Sequence, residues 1–411
     1  MIFGTRPIAF VNAQVVTPLG LAPSIRIRSR VLEVGSEPHP HDRVFDLEGA
    51  FVLPGLINAH DHLELNHYGS LKGRERYDHA NDWIDDLRPR LRTDPAIRRN
   101  ARFPLADRLF IGGLKNLLSG VTTVAHHNPR YRAIGRRFPV RVLARYGWAH
   151  SFAMEHAQVG AGGEPGGDVV ERCRATPPTQ PFMVHVGEGV DGRAAQELAR
   201  FAESGCLRPN CVIIHGVAHT PESWQAAVRA GTSLAWCPAS NRFLFGRTVP
   251  LRHLIEHMPA SRDRVCLGSD SRLTGARDLL DEMREAATEL TGGAGLLIPM
   301  VTSSAADVLR LKDAGRLVPG ATADLIVVPR DEAAPEDPER ALLSARRNRL
   351  RLVMIGGRPA VCDVQLRALF DACAVTSLPL RTDETPKVAA ANLVRRLARC
   401  AITEPGVEVS A

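Results

Sequence analysis

The chain has 411 residues, 44% hydrophobic and 24% charged, with a formal net charge of +7. No apolar run approaches the ~18 to 20 residues that span a bilayer, which excludes a membrane role, and the first twenty residues lack the basic and apolar regions of a signal peptide, so the expected location is the cytoplasm. The basic residues are spread along the sequence without an arm or a basic helix, so no nucleic-acid partner is expected.

Residues 7–52 hold short β-like pieces, IAFVNAQVVT, IRIRSRVLEVG and RVFDLEGAFVLP, parted by Pro and Gly turns. From Leu56 to about Thr302, short apolar strands alternate with helical patterns over 104–119, 191–204, 221–230 and 278–290. The strands are VTTVAH, VRVLARYGW, FMVHVGE, CVIIHG, TSLAWCP and VCLGSD. Such alternation predicts parallel βα units and, as the count nears eight, a closed barrel. Residues 149–180 give no clear strand, which leaves the barrel one element short or distorted there. After a helix near 303–311, β-like pieces return in TADLIVVPR and LRLVMIGGRPAVCD. The expected organisation is α/β: a (β/α)8 TIM-like barrel over 54–314, a small composite β-sandwich from 1–53 and 315–372, and a helical tail over 373–411 carried by ETPKVAAANLVRRLARCA. The eight cysteines show no CxxC pairing and sit in apolar runs, as buried free thiols of a reducing compartment do.

In FVLPGLINAHDHLE an apolar run ends in His60, Asp61, His62 and Glu64. Two histidines two residues apart leave an extended segment on one face, the geometry for holding one ion, while Asp61 points the other way. FMVHVGEG ends a second strand in His185 with Glu188 three residues on. CVIIHG ends a third in His215, and VCLGSDS a fourth in Asp270. A single strand-end histidine is usually structural, but four strands that each end in a metal-ligand type point to a catalytic metal site.

These motifs, PGLINAHDH, SGVTTVAH, HVGEG, HGV, CPASN, LGSD, LDEMREA and VPGATADLIVV, resemble the metal-dependent amidohydrolase superfamily over residues 8 to 363. The resemblance is to the branch with cytosine deaminase, S-adenosylhomocysteine deaminase, guanine deaminase and the triazine hydrolases. It implies one divalent metal, zinc or iron, held by His60, His62, His185 and Asp270. It further implies that Glu188 shuttles protons, that His215 positions the attacking water and stabilises the oxyanion, and that Asp270 takes the water proton. A bridged second metal would need a carboxylated lysine at a strand end, and none of Lys72, Lys115, Lys312 and Lys387 ends a predicted strand. The H-x-E with P-C-x-x-C pattern of the other zinc deaminases has no counterpart here, so cysteine ligation is not supported.

The implied function is hydrolysis of a non-peptide C–N bond in a small molecule, foremost the deamination of an aminated heterocycle or cyclic amidine. Two rivals stay open: the same site acting on a ring amide, substituted amine or halide, and a catalytically silent scaffold. A homo-oligomer is open by analogy. Loops at this end of a barrel set specificity, so Glu64, Asn66, Tyr68, Arg74 and Trp83, in the long polar loop after the first strand, are candidate substrate contacts. His127 in VAHHNP is another. Relatives carry a histidine where this chain has Trp236 in WCPASNRFLFGRT, and Arg242 alters the usual aliphatic loop. Trp236, Asn241 and Arg242 join the candidates, and the leaving group stays open. The Gly-rich stretch 160–167 reads as a lid or plain loop.

Overall fold

The computed structural model describes residues 6–155, 157–159, 164–290 and 295–409. Eight parallel strands surround its centre: β1 (Leu56–Asp61), β2 (Val121–His126), β3 (Arg141–Val142), β4 (Gly147–Trp148), β5 (Phe182–Val186), β6 (Cys211–His215), β7 (Ser233–Trp236) and β8 (Val265–Leu267). They form two arcs, one of β1 to β3 and one of β4 to β8. The Asp270 amide donates to the His60 carbonyl at 3.0 Å and joins the arcs on one side. The single strand expected from VRVLARYGW divides, Arg141 and Val142 pairing with β2 and Gly147 and Trp148 with β5. That division supplies the missing strand. Among the described residues of 149–180 there are a short antiparallel pair and a helix over Val169–Ala175, and no parallel barrel strand. Residues 160–163 of the Gly-rich stretch lie outside the described residues.

Strand alternation sorts the barrel side chains. Ile57, Ala59, Ala125, Met183, Val212, Ile214, Ala235 and Cys266 pack together inside it. Leu56, Phe182, Val184, Ile213, Leu234 and Trp236 point outward against the helices. The helices over Leu105–Leu118, Gly192–Glu203, Pro221–Ala230 and Leu279–Glu289 follow the apolar periodicity of the sequence. The polar loop after β1 differs from expectation, because it contains a helix, α1 (Ala80–Thr93), that begins where the His79 ring accepts the Asn81 amide. Pro89 inside it and its low apolar content mask its periodicity.

Both chain ends contribute to a pair of sheets beside the barrel. One has four strands, in the order Val31–Val34, Ile25–Ile27, Ile8–Val11, Arg43–Asp46. The other has nine, and at its centre Phe51–Pro54 pairs antiparallel with Leu325–Val328. Val52, Leu325 and Val327 face Ile8, Phe10 and Ile25 between the sheets. Their neighbours Phe51, Leu53, Ile326 and Val328 face the barrel helices. Phe51–Pro54 is therefore shared by both layers and leads straight into β1.

The expected helical tail is corrected. Ser377–Thr382, Thr385–Ala390 and Val407–Glu408 are strands that extend the nine-stranded sheet, and only Ala391–Leu397 of the expected helix is helical. Without the tail, Arg358–Asp363 would be an edge strand with one side unpaired, and its pairing with Thr385–Ala390 overrides local helix preference. The sheet therefore continues past the boundary expected at residue 373, and Cys373 itself caps the short helix Ala368–Ala372 between two of its strands.

Candidate active site

The pairing of β1 with β2 slips between Asn58 and Asp61. A bulge reverses side-chain parity, so beyond Ile57 and Ala59 it is His60 and His62 that turn to the barrel centre. Asp61 points away, into a buried network with Lys115, Asn66, Asn58 and Asn116. His215 and Asp270, at the ends of β6 and β8, hold left-handed backbone with φ of 67° and 50°. Non-glycine residues rarely adopt it, and such strain concentrates at functional sites.

These strand ends converge. His60 Nε2 lies 3.3 Å from His185 Nε2 and 3.8 Å from Asp270 Oδ1, and His62 Nε2 is 3.9 Å from that same oxygen. Two overlapping sets, His60, His185 and His215 and also His60, His62 and Asp270, each keep their ligand atoms within 4.8 Å of one another. His185 Nδ1 donates to the His150 carbonyl at 2.9 Å, which leaves its Nε2 lone pair free. His215 Nδ1 donates likewise to Asn241 Oδ1 at 2.8 Å. Asp270 accepts from the Ser271 amide at 2.6 Å, and the Ser240 and Thr274 hydroxyls lie 2.9 and 2.8 Å from its other oxygen.

The charge states suit an ion. Burial, with the other ring histidines close by, holds His60, His127 and His185 well below the usual histidine range, and His150 is pushed down to about 3. Neutral imidazoles are what a metal binds. Burial alone would raise Asp270, but His62, His215 and its hydrogen bonds outweigh it and hold the carboxyl below the usual range. Burial pushes Glu188 up to about 7 against the pull of His215, whose Nε2 is 3.6 Å away. His60 Nδ1 is buried without a hydrogen-bond partner. Clustered neutral histidines and one ionised carboxylate fit a divalent ion of the zinc or iron kind.

A cavity of about 400 Å³ opens over this cluster. Of the expected substrate contacts, Glu64, Tyr68 and Trp83 line it. The others do not. Asn66 is buried below, bonded to Asp61 and Lys115. Arg74 is exposed and pairs with Asp86. His127 packs 4.4 Å from the His185 ring and bonds the Ala149 carbonyl. Trp236 points outward and donates to Thr248 Oγ1, which also accepts from Asn241. Asn241 therefore acts on His215, and Trp236 supports it through Thr248. Arg242 is held by Glu285 and Glu289.

Several residues were not found from the sequence. His150, Asn128, Arg108, Met154 and Leu244 line the cavity. Asn128 follows the histidine pair of β2 and donates to Glu64 Oε1 at 2.6 Å, and a polar residue directly after a strand-end motif was the available signal. Lys115 is the lone charge within the apolar run LFIGGLKNLL, a pattern that marks a buried, partnered cation.

Residues 182–360 match the model of the Amidohydrolase family. The chain is 27% identical over 351 residues to a 5-methylthioadenosine/S-adenosylhomocysteine deaminase of Halobacterium salinarum, covering 74% of this chain and 78% of that protein. Among solved structures it resembles a triazine hydrolase from Arthrobacter aurescens, with TM-score 0.70, 19% identity, and 90% and 99% of the two chains covered. A zinc-bound adenosine deaminase from Xanthomonas campestris superposes with TM-score 0.65 at 18% identity, over 90% of this chain and 97% of the other. The structural likenesses establish the barrel fold, and residues 182–360, which carry His185, His215 and Asp270, are similar to the Amidohydrolase family.

Proposed function

We propose that the protein is a hydrolase that deaminates an aminated heterocycle or cyclic amidine at a site with one zinc or iron ion held by His60, His62, His185 and Asp270. The observation that carries this reading is Glu188, a largely buried acid at the cavity wall with a proton to give near neutral pH, set beside His215 and the histidine cluster. The deaminase names of the relatives support it. His215 is left out of the ligand set because Asn241 holds its Nδ1 and its Nε2 faces Glu188.

A divalent ion there supplies a Lewis acid that lowers the pKa of water toward ~7. Asp270, kept ionised, accepts the proton that the attacking water loses. Protonated Glu188 donates to the ring nitrogen next to the reacting carbon. His215 Nε2 faces the negative charge that develops on the oxygen, with its ring held by Asn241. The carbon gains the water oxygen, the C–N bond to the amino group breaks, the proton collected by Asp270 leaves with ammonia, and the remaining water proton returns to Glu188 as the carbonyl forms. Leu65, Tyr68, Trp83, Ile84 and Leu87 give the outer cavity an apolar wall, which suits a ring with an apolar substituent. The free thiols suit a cytoplasmic location.

The test is ammonia release from a panel of aminated purines, pyrimidines and triazines by zinc- and iron-loaded protein. Glu188→Gln should keep the metal, counted by plasma mass spectrometry, and lose nearly all turnover. Release of an alkylamine or halide without ammonia would move the assignment to the other bond types.

A further inference from the structure

A second cavity, of about 600 Å³, lies outside the active site, between the loop Tyr131–Phe138 and the helix Ala391–Leu397 with the residues that follow it. Arg136 and Arg137 line it from the loop, Arg395, Arg396 and Arg399 from the opposite side, and Ala106, Phe110 and Phe138 add apolar surface. The two arginine-bearing segments, PRYRAIGRRF and NLVRRLARC, contain no carboxylate. Arg396 pairs with Asp107 and lies over the Phe110 ring. The side chains of Arg136, Arg137, Arg395 and Arg399 form no ion pair among the described residues. Arginines that are scattered in sequence are thus gathered by the fold around one concavity.

We propose that this cleft binds a small organic phosphate bearing two or more negative charges. Guanidinium stays ionised at any physiological pH, and its planar fork matches phosphate oxygens two at a time. Four unneutralised forks around one hollow repel one another until an anion enters. The concave shape and the apolar surface of Phe110 and Phe138 suit a compact ligand with an apolar or aromatic body rather than a long polymer. The cleft shares no lining residue with the active-site cavity. The helix Leu105–Leu118 separates them, since Ala106 and Phe110 line the cleft while Arg108, on the opposite side of the same turns, lines the active-site cavity.

Isothermal titration of inorganic tripolyphosphate and of ATP into the metal-loaded full chain, at fixed ionic strength, tests the assignment. Saturable binding of one ligand per chain is expected. The exposed double substitution Arg136→Ala/Arg395→Ala should weaken it by about tenfold or more, as loss of charge-assisted contacts does, while Arg108→Ala leaves it unchanged. Equal affinity for both probes would place recognition in the phosphate chain, and tighter ATP would add the aromatic body; either outcome supports the site. No saturable binding, or loss on Arg108→Ala with none on the double substitution, overturns it. Tighter binding of a long single-stranded oligonucleotide than of ATP, lost on the same double substitution, would assign the cleft to nucleic acid and overturn the small-ligand class.

Discussion

Lys115 Nζ sits 3.2 Å from Asp61 Oδ2, with both side chains wholly buried beneath the histidine cluster. The same ammonium reaches Asn66 Oδ1 at 2.7 Å and the Asp270 carbonyl at 3.1 Å, so one cation ties the first strand of the barrel to the last. Removing it leaves the Asp61 carboxylate buried and unpaired. Lys115→Met should therefore cost about 3 to 5 kcal/mol in chemical denaturation. Adding Asp61→Asn should recover part of that loss, and wild-type stability in the single variant would refute the account.

The path from Trp236 through Thr248 and Asn241 to His215 gives a graded expectation. Asn241→Ala removes the acceptor that fixes the His215 ring and should lower kcat by about 10- to 100-fold with metal content intact. Trp236→Phe removes one more distant donor and should cost less. Steady-state kinetics with metal analysis checks the order, and a larger loss for Trp236→Phe would break it.

Much of the site was legible because a barrel places its chemistry at strand ends, where a ligand-type residue after an apolar run is conspicuous. His60, His62, His185, His215 and Asp270 were singled out this way, and the structure brings them together. The contacts inferred for Arg74 and Arg242 were not legible, since a one-dimensional string does not show that Asp86, or Glu285 and Glu289, will neutralise them. Trp236 was misplaced for a related reason. Strand parity turns it outward, and only the fold shows that its indole then meets Thr248. The tail strands escaped notice because their pairing partner lies in Arg358–Asp363.

Catalysis should depend on pH through Glu188. Only the protonated acid can donate, and burial sets its value at about 7. The profile of kcat should fall on the alkaline side with a midpoint no higher than about 7, because a bound cation draws the value down. A plateau extending well above that pH would exclude Glu188 as the donor.

Stability should depend on pH through other groups. Burial lowers His67 and His219 to about 4, so stability is lost as pH falls below the unfolded histidine value of about 6.5 and the unfolded chain takes up more protons. Burial raises Glu282 to about 8, so the stability it contributes is complete below the unfolded glutamate value and lost as pH rises toward 8. Thermal melts should show an acid limb that His67→Gln shallows and an alkaline limb that Glu282→Gln shallows. Unchanged limbs in both variants would contradict these assignments.

Glu404 is fully buried and takes both guanidinium nitrogens of Arg272, at 2.9 and 2.7 Å, and one of Arg347. The Arg272 amide in turn bonds Asn66. Glu404→Ala should cost about 3 to 5 kcal/mol and should also depress turnover, because it frees the loop that follows Asp270. An intact kcat in the folded variant would confine Glu404 to a structural role.

The sharing of Phe51–Pro54 between the sandwich and the barrel has a consequence for synthesis on the ribosome. This segment leads into β1 but takes its antiparallel partner from Leu325–Val328, more than two thirds of the way along the chain. The strand that feeds His60 and His62 into position must therefore wait, unpaired along that edge, until nearly the whole barrel has been translated. Closing so long a loop is slow, and exposed strand edges aggregate. Nascent chains stalled before residue 325 should consequently lean on chaperones, and the metal centre should mature only after release of roughly the last fifth of the polypeptide.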